Sequence, residues 1–251
     1  MRIDFAIHSS DSNPFYLDFW PIVSKLWAEV FQIRPVLVYI DENHDIPIDT
    51  TYGNVVKMKP VEGIPVYLQC LWVRYWIPSQ FPDKVCMISD IDMLPVSRRY
   101  FINQIRLVPD DKYVHLNPLR QYMPSCYHVA KGSLFKKVLQ LHDTWEESIK
   151  YLNEQNLGGN YFDGTNPILK DKTQWGADED LGSRMIREYP DPSVFVFIAR
   201  ANGRIDRSNW KYDPLDIARS QYADAHCVRP LSDPENRRLV EKLVSEIQRL
   251  A

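Results

Sequence analysis

Residues 85–95 read VCMISDIDMLP. The apolar run Val85 to Ile88, bounded by Lys84 and Ser89, has the pattern of a strand buried on both faces. Side chains on a strand repeat every two residues, so carboxylates at i and i+2 lean to one side. Asp90 and Asp92 therefore converge where the strand ends, and open α/β sheets bind ligands in the crevice at those carboxyl ends. Two hard oxygen ligands there suit Mg²⁺ or Mn²⁺ bridging a diphosphate. Aspartates that merely cap a turn would look the same locally. The buried-type run before them and Pro95 after them favour the ligand-binding reading.

Outward from this strand, the first 92 residues alternate between strand and helix patterns. Ile3–His8 reads as a strand and Asn13-Pro14 as the start of a helix running to Phe31. Pro35–Asp41 and Asn54–Met58 follow as strands, then a helix over Pro65–Trp76 stopped before Pro78. That order predicts an α/β fold with a mostly parallel central sheet and helices on both faces. Further on, the pattern predicts helices over 97–107, 133–152, 178–189 and 234–250, strands over 113–117, 127–130 and 193–199, and mixed loop over 205–225. Residues 153–174 are polar and carry no period, and a loop of that length inside a compact domain is usually functional or mobile. No linker or repeat interrupts the chain, so a single domain over 1–251 is expected, with 1–95 as its nucleotide and metal half and 96–251 as its acceptor half.

Composition narrows the function. The 251 residues include 9 glycines, where average usage gives roughly 18. No G-x-G-x-x-G or G-K-S/T occurs, which removes the glycine-rich phosphate cradles of Rossmann and P-loop domains. Thirty Lys and Arg against 33 Asp and Glu leave a net charge of −3 with no basic block, which argues against a nucleic-acid partner. The four cysteines form no C-x-x-C pair and sit mostly in apolar stretches, as reduced buried thiols do. The longest clean apolar run is Val194–Ala199, so no membrane span is expected, and the N-terminal stretch lacks the apolar core of a signal peptide. A soluble cytoplasmic protein is the expectation.

A second motif is Trp175-Gly176-Ala177-Asp178-Glu179-Asp180-Leu181, with Arg184 following. Three carboxylates at a helix start are stabilised by the helix dipole, and an acidic first turn is a common cap. Capping does not require the Trp-Gly before it, which sets a large ring and a tight backbone beside the carboxylates. A catalytic carboxylate is the alternative.

Together these motifs resemble the nucleotide-sugar-dependent glycosyltransferases of the GT-A fold: two buried strands with a helix between them, hydrophobic-Ser-Asp-x-Asp near position 90, and W-G-x-(acidic triplet)-L-x-x-R some 85 residues later. The likeness covers essentially the whole chain. It implies a Rossmann-like GT-A domain and an enzyme moving a hexosyl or pentosyl group from a nucleoside-diphosphate sugar, UDP- or GDP-linked, to a hydroxyl of a glycan or other acceptor. It further implies a divalent cation, Mn²⁺ or Mg²⁺, with Asp92 as direct ligand, Asp90 as its partner reaching the ribose or donor sugar, and His226 near the C-terminus as third ligand, His115 being the competitor. The later motif is similar to the W-G-x-E-D segment of the β-1,4-galactosyltransferases. There the acidic residue is the general base of an inverting displacement. Alignment on the leucine and arginine places that base at Asp178, and alignment on Trp-Gly at Glu179. The resemblance also implies donor contacts from Ser9, Ser10 and Asp11 after the first strand, Asp41 after the second, and Arg74. Tyr161, Phe162 and Trp175 are candidate rings for acceptor sugars. Two other readings stand beside it: a haloacid-dehalogenase-type phosphatase, in which the first Asp is the nucleophile, and a non-catalytic sugar- or metal-binding module.

Overall fold

The computed structural model describes residues 1–43, 45–116, 123–157, 174–200 and 203–250. Strand β1 (Phe5–Ser10) leads into two short helices, α1 (Pro14–Leu17) and α2 (Trp20–Lys25), and a π-helical turn, Leu26–Val30. The single helix expected over 14–31 is thus broken. Asn13 caps α1 by accepting from the Phe15 amide, and Pro21 lacks the N–H a continuous helix needs there. Strands β2 (Arg34–Ile40) and β3 (Asn54–Met58), helix α3 (Val66–Trp76) and strand β4 (Val85–Ile88) complete the first half.

After β4 come β5 (Met93–Pro95), β6 (Tyr113–Leu116), β7 (His128–Lys131), α4 (Gly132–Val138) and α5 (Trp145–Glu154). The helix expected over 133–152 is two helices. Thr144 starts the second by accepting from the Glu147 amide. Gly132 opens α4 under the backbone of 78–81, where an added Cβ would lie 2.0 Å from the Pro78 carbonyl oxygen. Helix α6 (Ala177–Glu188) and strand β8 (Phe195–Ile198) follow. Within 205–225, expected to be loop, the chain forms β9 (Gly203–Asp206), α7 (Pro214–Ala218) and β10 (Tyr222–His226), before α8 (Pro234–Leu250) ends the described chain.

Among the described residues the central sheet has seven strands in the order β3-β2-β1-β4-β7-β6-β8, parallel throughout except for β7. Both faces are apolar. Ala6, Leu37, Tyr39, Val85 and Met87 pack towards α2 and α8, while Ile7, Val36, Val38, Cys86 and Ile88 pack towards α3 to α6. This is why the strands read as continuous apolar runs rather than as alternation. The chain winds outward from β1 to β3 and then returns to β1's other side as β4, so the strand order reverses between β1 and β4. A crevice opens at such a switch point, at the carboxyl ends of the strands. A second sheet, β5-β10-β9, covers one side of it.

Candidate active site

A cavity of about 240 Å³ lies in this crevice, lined by Ser9, Ser10 and Asp11 after β1, by Asp90 and Asp92 after β4, by Arg74 from α3, and by Trp175, Asp178 and Glu179 at the start of α6. His226, at the end of β10, lies on the same wall.

Local pairing explains how the distant residues arrive. Strand β5 continues from Asp92 and pairs antiparallel with β10, setting Met93 opposite His226, and the Cys227 amide donates to the Asp92 carbonyl at 3.0 Å. His226 Nε2 thereby stands 3.4 Å from Asp92 Oδ2. Parallel pairing of β10 with β9 puts Asp206 opposite His226, with its Oδ2 3.6 Å from Nδ1. At the other wall, Gly176 takes a left-handed conformation at φ 85°, which glycine adopts without strain, and starts α6 so that its first turn faces the cavity. Ala177 and Leu181 bury that helix against the core containing α3. Arg74 then bridges the two motifs. Its Nη1 donates to Asp90 and its Nη2 to Asp178 Oδ2 at 3.3 Å and to Ser125 Oγ at 3.2 Å.

These contacts set the ionisation of the three aspartates differently. Asp92 is 4% exposed, and burial alone would raise its pKa. Contacts with His226, Arg229 and Arg207 outweigh that and hold it at about 2. Arg229 Nη1 lies 2.9 Å and Arg207 Nη1 3.2 Å from Asp92 Oδ2. Asp90 is also held low: Arg74 overcomes the cost of burial, helped by the Cys126 thiol, which donates to Oδ2 at 2.8 Å. Asp178, 1% exposed, goes the other way. Burial pushes it up to about 6 against the pull of Arg74, with the Asp90 charge adding to the rise. Its Oδ1 has no hydrogen-bond partner among the described residues. Glu179 is anchored through Oε1, which accepts from the Ser125 amide at 2.9 Å and from its hydroxyl at 3.3 Å.

The other expected residues are placed as follows. Asp41 is not part of the cavity wall; it accepts from the amides of Ser12 at 3.3 Å and Asn43 at 2.8 Å. His115 is fully buried on β6 opposite His128 of β7, with the two rings 4.3 Å apart, and burial lowers its pKa to about 4. Trp175 packs against Tyr67, ring centroids 6.0 Å apart, and both line the cavity. Tyr161 and Phe162 lie outside the described residues. The cavity also contains Tyr16, Ser125, Arg207 and Arg229, none of which was expected. Arg229 stands three residues after His226, and its guanidinium lies over the rings of Phe15 at 4.9 Å and Tyr16 at 4.8 Å. The motif around His226 could have drawn attention to it. Arg207 and Ser125 carry no local sequence signal.

The site is thus an acid-lined crevice at a strand-order reversal of an open α/β sheet, bounded by a helix that starts with carboxylates. By sequence the chain matches no protein-family model and no curated protein. By structure it is similar to the galactosyltransferase LgtC. The complex of LgtC with donor and acceptor sugar analogues gives a TM-score of 0.50 and 13% identity over 98% of this chain and 96% of that one. An active-site mutant of LgtC gives 0.51 and 14% over the same shares. The glycosyltransferase GlyE of Streptococcus pneumoniae TIGR4, in its apo form, gives 0.50 and 10% over 98% of this chain, which spans 60% of GlyE. The chain thus has the fold of GT-A glycosyltransferases.

Among the described residues, no group of three or more His, Cys, Asp and Glu side chains is arranged to hold a metal ion. Asp92 Oδ2 and His226 Nε2 offer one oxygen and one nitrogen on the same cavity wall, 3.4 Å apart. Neighbouring ligands of one six-coordinate cation stand about 3 Å apart, given bonds of about 2.1 Å. That separation suits two ligands of one hard or borderline divalent ion, on an oxygen that Arg207 and Arg229 also approach. No described helix is long and apolar enough to cross a membrane.

Proposed function

We propose that the protein is a glycosyltransferase that moves a sugar from a nucleoside-diphosphate sugar, UDP- or GDP-linked, to a hydroxyl of a glycan or other acceptor. What carries this reading is the meeting of two sequence-distant acidic motifs across one small cavity: Asp90 and Asp92 at the strand end, and Asp178 and Glu179 at the helix start, joined by Arg74. A binding module has no need of a carboxylate held at a pKa of about 6 beside two ionised ones. Such tuning suits a general base working near neutral pH.

In this reading the nucleoside lies against Ser9, Ser10, Asp11 and Tyr16, and the diphosphate against Arg207, Arg229, Asp92 and His226. Asp92 and His226 would hold Mn²⁺ or Mg²⁺, which supplies Lewis-acid neutralisation of the departing diphosphate. Arg207 and Arg229 offset the same developing charge, and the stacking of Arg229 on Phe15 and Tyr16 fixes its position. Arg74 and Asp90 orient the donor sugar. Asp178 Oδ1, which has no partner among the described residues, takes the proton of the acceptor hydroxyl. The acceptor oxygen bonds to the anomeric carbon as the bond to the phosphate oxygen breaks, and the nucleoside diphosphate leaves with the electron pair. The configuration at carbon inverts. Tyr67 and Trp175 form a ring platform beside the site for the acceptor.

The test combines donor screening with two variants. With a donor found by thermal shift in the presence of Mn²⁺, Asp178→Asn should lower transfer by about 10²–10⁴-fold and leave donor affinity within a few-fold. Glu179→Gln should affect transfer less. Full transfer by Asp178→Asn with loss in Glu179→Gln moves the base to Glu179. A product of retained anomeric configuration by NMR rejects single displacement. Steady phosphate release from a phosphomonoester without an acceptor would sink the transferase reading altogether.

A further inference from the structure

A second cavity, of about 410 Å³, lies at the opposite end of the sheet from the first, beside the amino ends of β1 and β2. Its walls carry Arg2, Arg98 and Arg106 over an apolar floor that includes Phe31, Phe101 and Ile105, and no carboxylate lines it. Acids near it are engaged elsewhere: Asp110 with the Met1 amino group at 3.6 Å, Asp4 with Lys84 at 3.7 Å and Glu29 with Lys25 at 4.0 Å.

Most described arginines elsewhere in the molecule are paired with acids; Arg184, which donates to the Gln155 amide oxygen at 2.8 Å, is not. Arg74, Arg200, Arg204, Arg207, Arg219, Arg229, Arg237, Arg238 and Arg249 each sit within ion-pair distance of a carboxylate. Arg2, Arg98 and Arg106 have no carboxylate partner among the described residues, nor do Arg34 and Arg99, which are exposed next to cavity residues Ile33 and Arg98. Arg98 donates only to the Val30 carbonyl. In a chain of net charge −3, five unpaired guanidiniums at one end concentrate positive potential there. On the same rim Leu107, adjacent to Arg106, is 85% exposed.

We infer that this end docks on an anionic phospholipid surface, with the arginines taking the headgroup phosphates and Leu107 entering the interfacial layer. Guanidinium is suited to this because its fork donates to two phosphate oxygens at once and is weakly hydrated. Cationic side chains beside an exposed apolar residue supply the two signals that peripheral attachment needs. An apolar floor below a cationic rim matches a phosphate ester carrying an acyl chain better than it matches a free anion. Docked this way, the molecule turns the carboxyl-end cavity away from the bilayer, so acceptors reach it from the aqueous side. The proposal stands whether or not that cavity transfers sugars.

Co-sedimentation of the full chain with vesicles decides it. Binding to phosphatidylcholine vesicles containing phosphatidylglycerol should exceed binding to pure phosphatidylcholine by at least about tenfold at about 0.1 M salt, and should fall steeply at about 1 M, where the screening length shrinks from about 10 to about 3 Å. Arg2→Gln/Arg106→Gln should lose most of that preference, and Leu107→Asp should weaken it further. Arg237→Gln/Arg238→Gln on α8, which removes two cations that have acidic partners, should keep it. The double variant leaves Arg98 and its backbone contact intact, so the fold is preserved. Equal binding to both vesicle types, equal losses in the two double variants, or full displacement by millimolar inorganic phosphate would each overturn the inference.

Discussion

Replacing Asp178 by asparagine should make the protein more stable while removing its proposed activity. Asp178 is 1% exposed, and burial lifts its pKa from 3.8 to about 6 even though Arg74 pulls it down. Two units at about 1.36 kcal/mol each mean that ionising this group in the folded state costs about 3 kcal/mol relative to the unfolded chain. A raised folded pKa gives stability that is fully present below pH 3.8 and is lost as pH rises through about 6. At pH 8 the wild type therefore lacks those 3 kcal/mol. Asparagine, neutral at every pH, retains them, and Arg74 keeps Asp90 as its ion partner. For a domain of this length, about 3 kcal/mol corresponds to a rise in Tm of roughly 6–12 °C. His8 and His115, lowered to about 4 by burial, impose an opposite trend, losing stability as pH falls below 6.5. Both proteins share that trend, so the quantity to measure is the difference between them. Urea denaturation across pH should show the variant ahead by about 3 kcal/mol at pH about 8 and level with the wild type at pH about 4. A difference that does not change with pH, or a variant less stable at pH 8, would refute the assignment of the raised pKa to Asp178.

Three further outcomes are expected. Asp92→Asn strips Arg207, Arg229 and His226 of the carboxylate they share; it should destabilise the fold by about 3–5 kcal/mol in denaturant and abolish the effect of Mn²⁺ on donor hydrolysis. Gly132→Ala sets a methyl group against the backbone oxygens of Pro78 and Phe81, at 2.0 and 2.5 Å; it should cost several kcal/mol and read out as a depressed Tm or insoluble expression, whereas Gly182→Ala, whose added carbon would meet the Tyr75 ring at 3.6 Å, should be tolerated. Acid titration of the wild type should show stability falling between pH 6.5 and about 4 as the unfolded chain protonates histidines that the folded core keeps neutral; His8→Phe should flatten that fall by about 3 kcal/mol in the same denaturation assay.

Strands β2 and β4 were legible because each is buried on both faces and reads as an unbroken apolar run, and the half-buried edge strand β3 from its Val55-Val56 pair between polar residues. The Asp-x-Asp pair was legible because it directly follows one of them. Helix α8 was legible in full from its period, since one of its faces meets solvent. Where the reading failed, energy came from partners remote in sequence. The segment 203–226 has two short strands, of which β10 pairs with β5, more than a hundred residues earlier, and β9 adds to β10, and no local periodicity records that. The break between α4 and α5 follows the capping of Thr144, a feature overridden in the sequence by a continuing helical period.

The same division runs through the site. The sequence by itself determined which carboxylates stand at a strand end and which at a helix start, because both placements depend on local pattern. Only the tertiary structure decided that Arg74 ties the two together, that His226 rather than His115 faces Asp92, and that Arg207 and Arg229 complete the wall. It also decided the charge states. Asp90, Asp92 and Asp178 are chemically identical in the sequence, and their pKa values separate because Asp92 has three cationic partners and Asp90 has Arg74 and the Cys126 thiol at a partly exposed site, whereas Asp178 has Arg74 alone at a fully buried one.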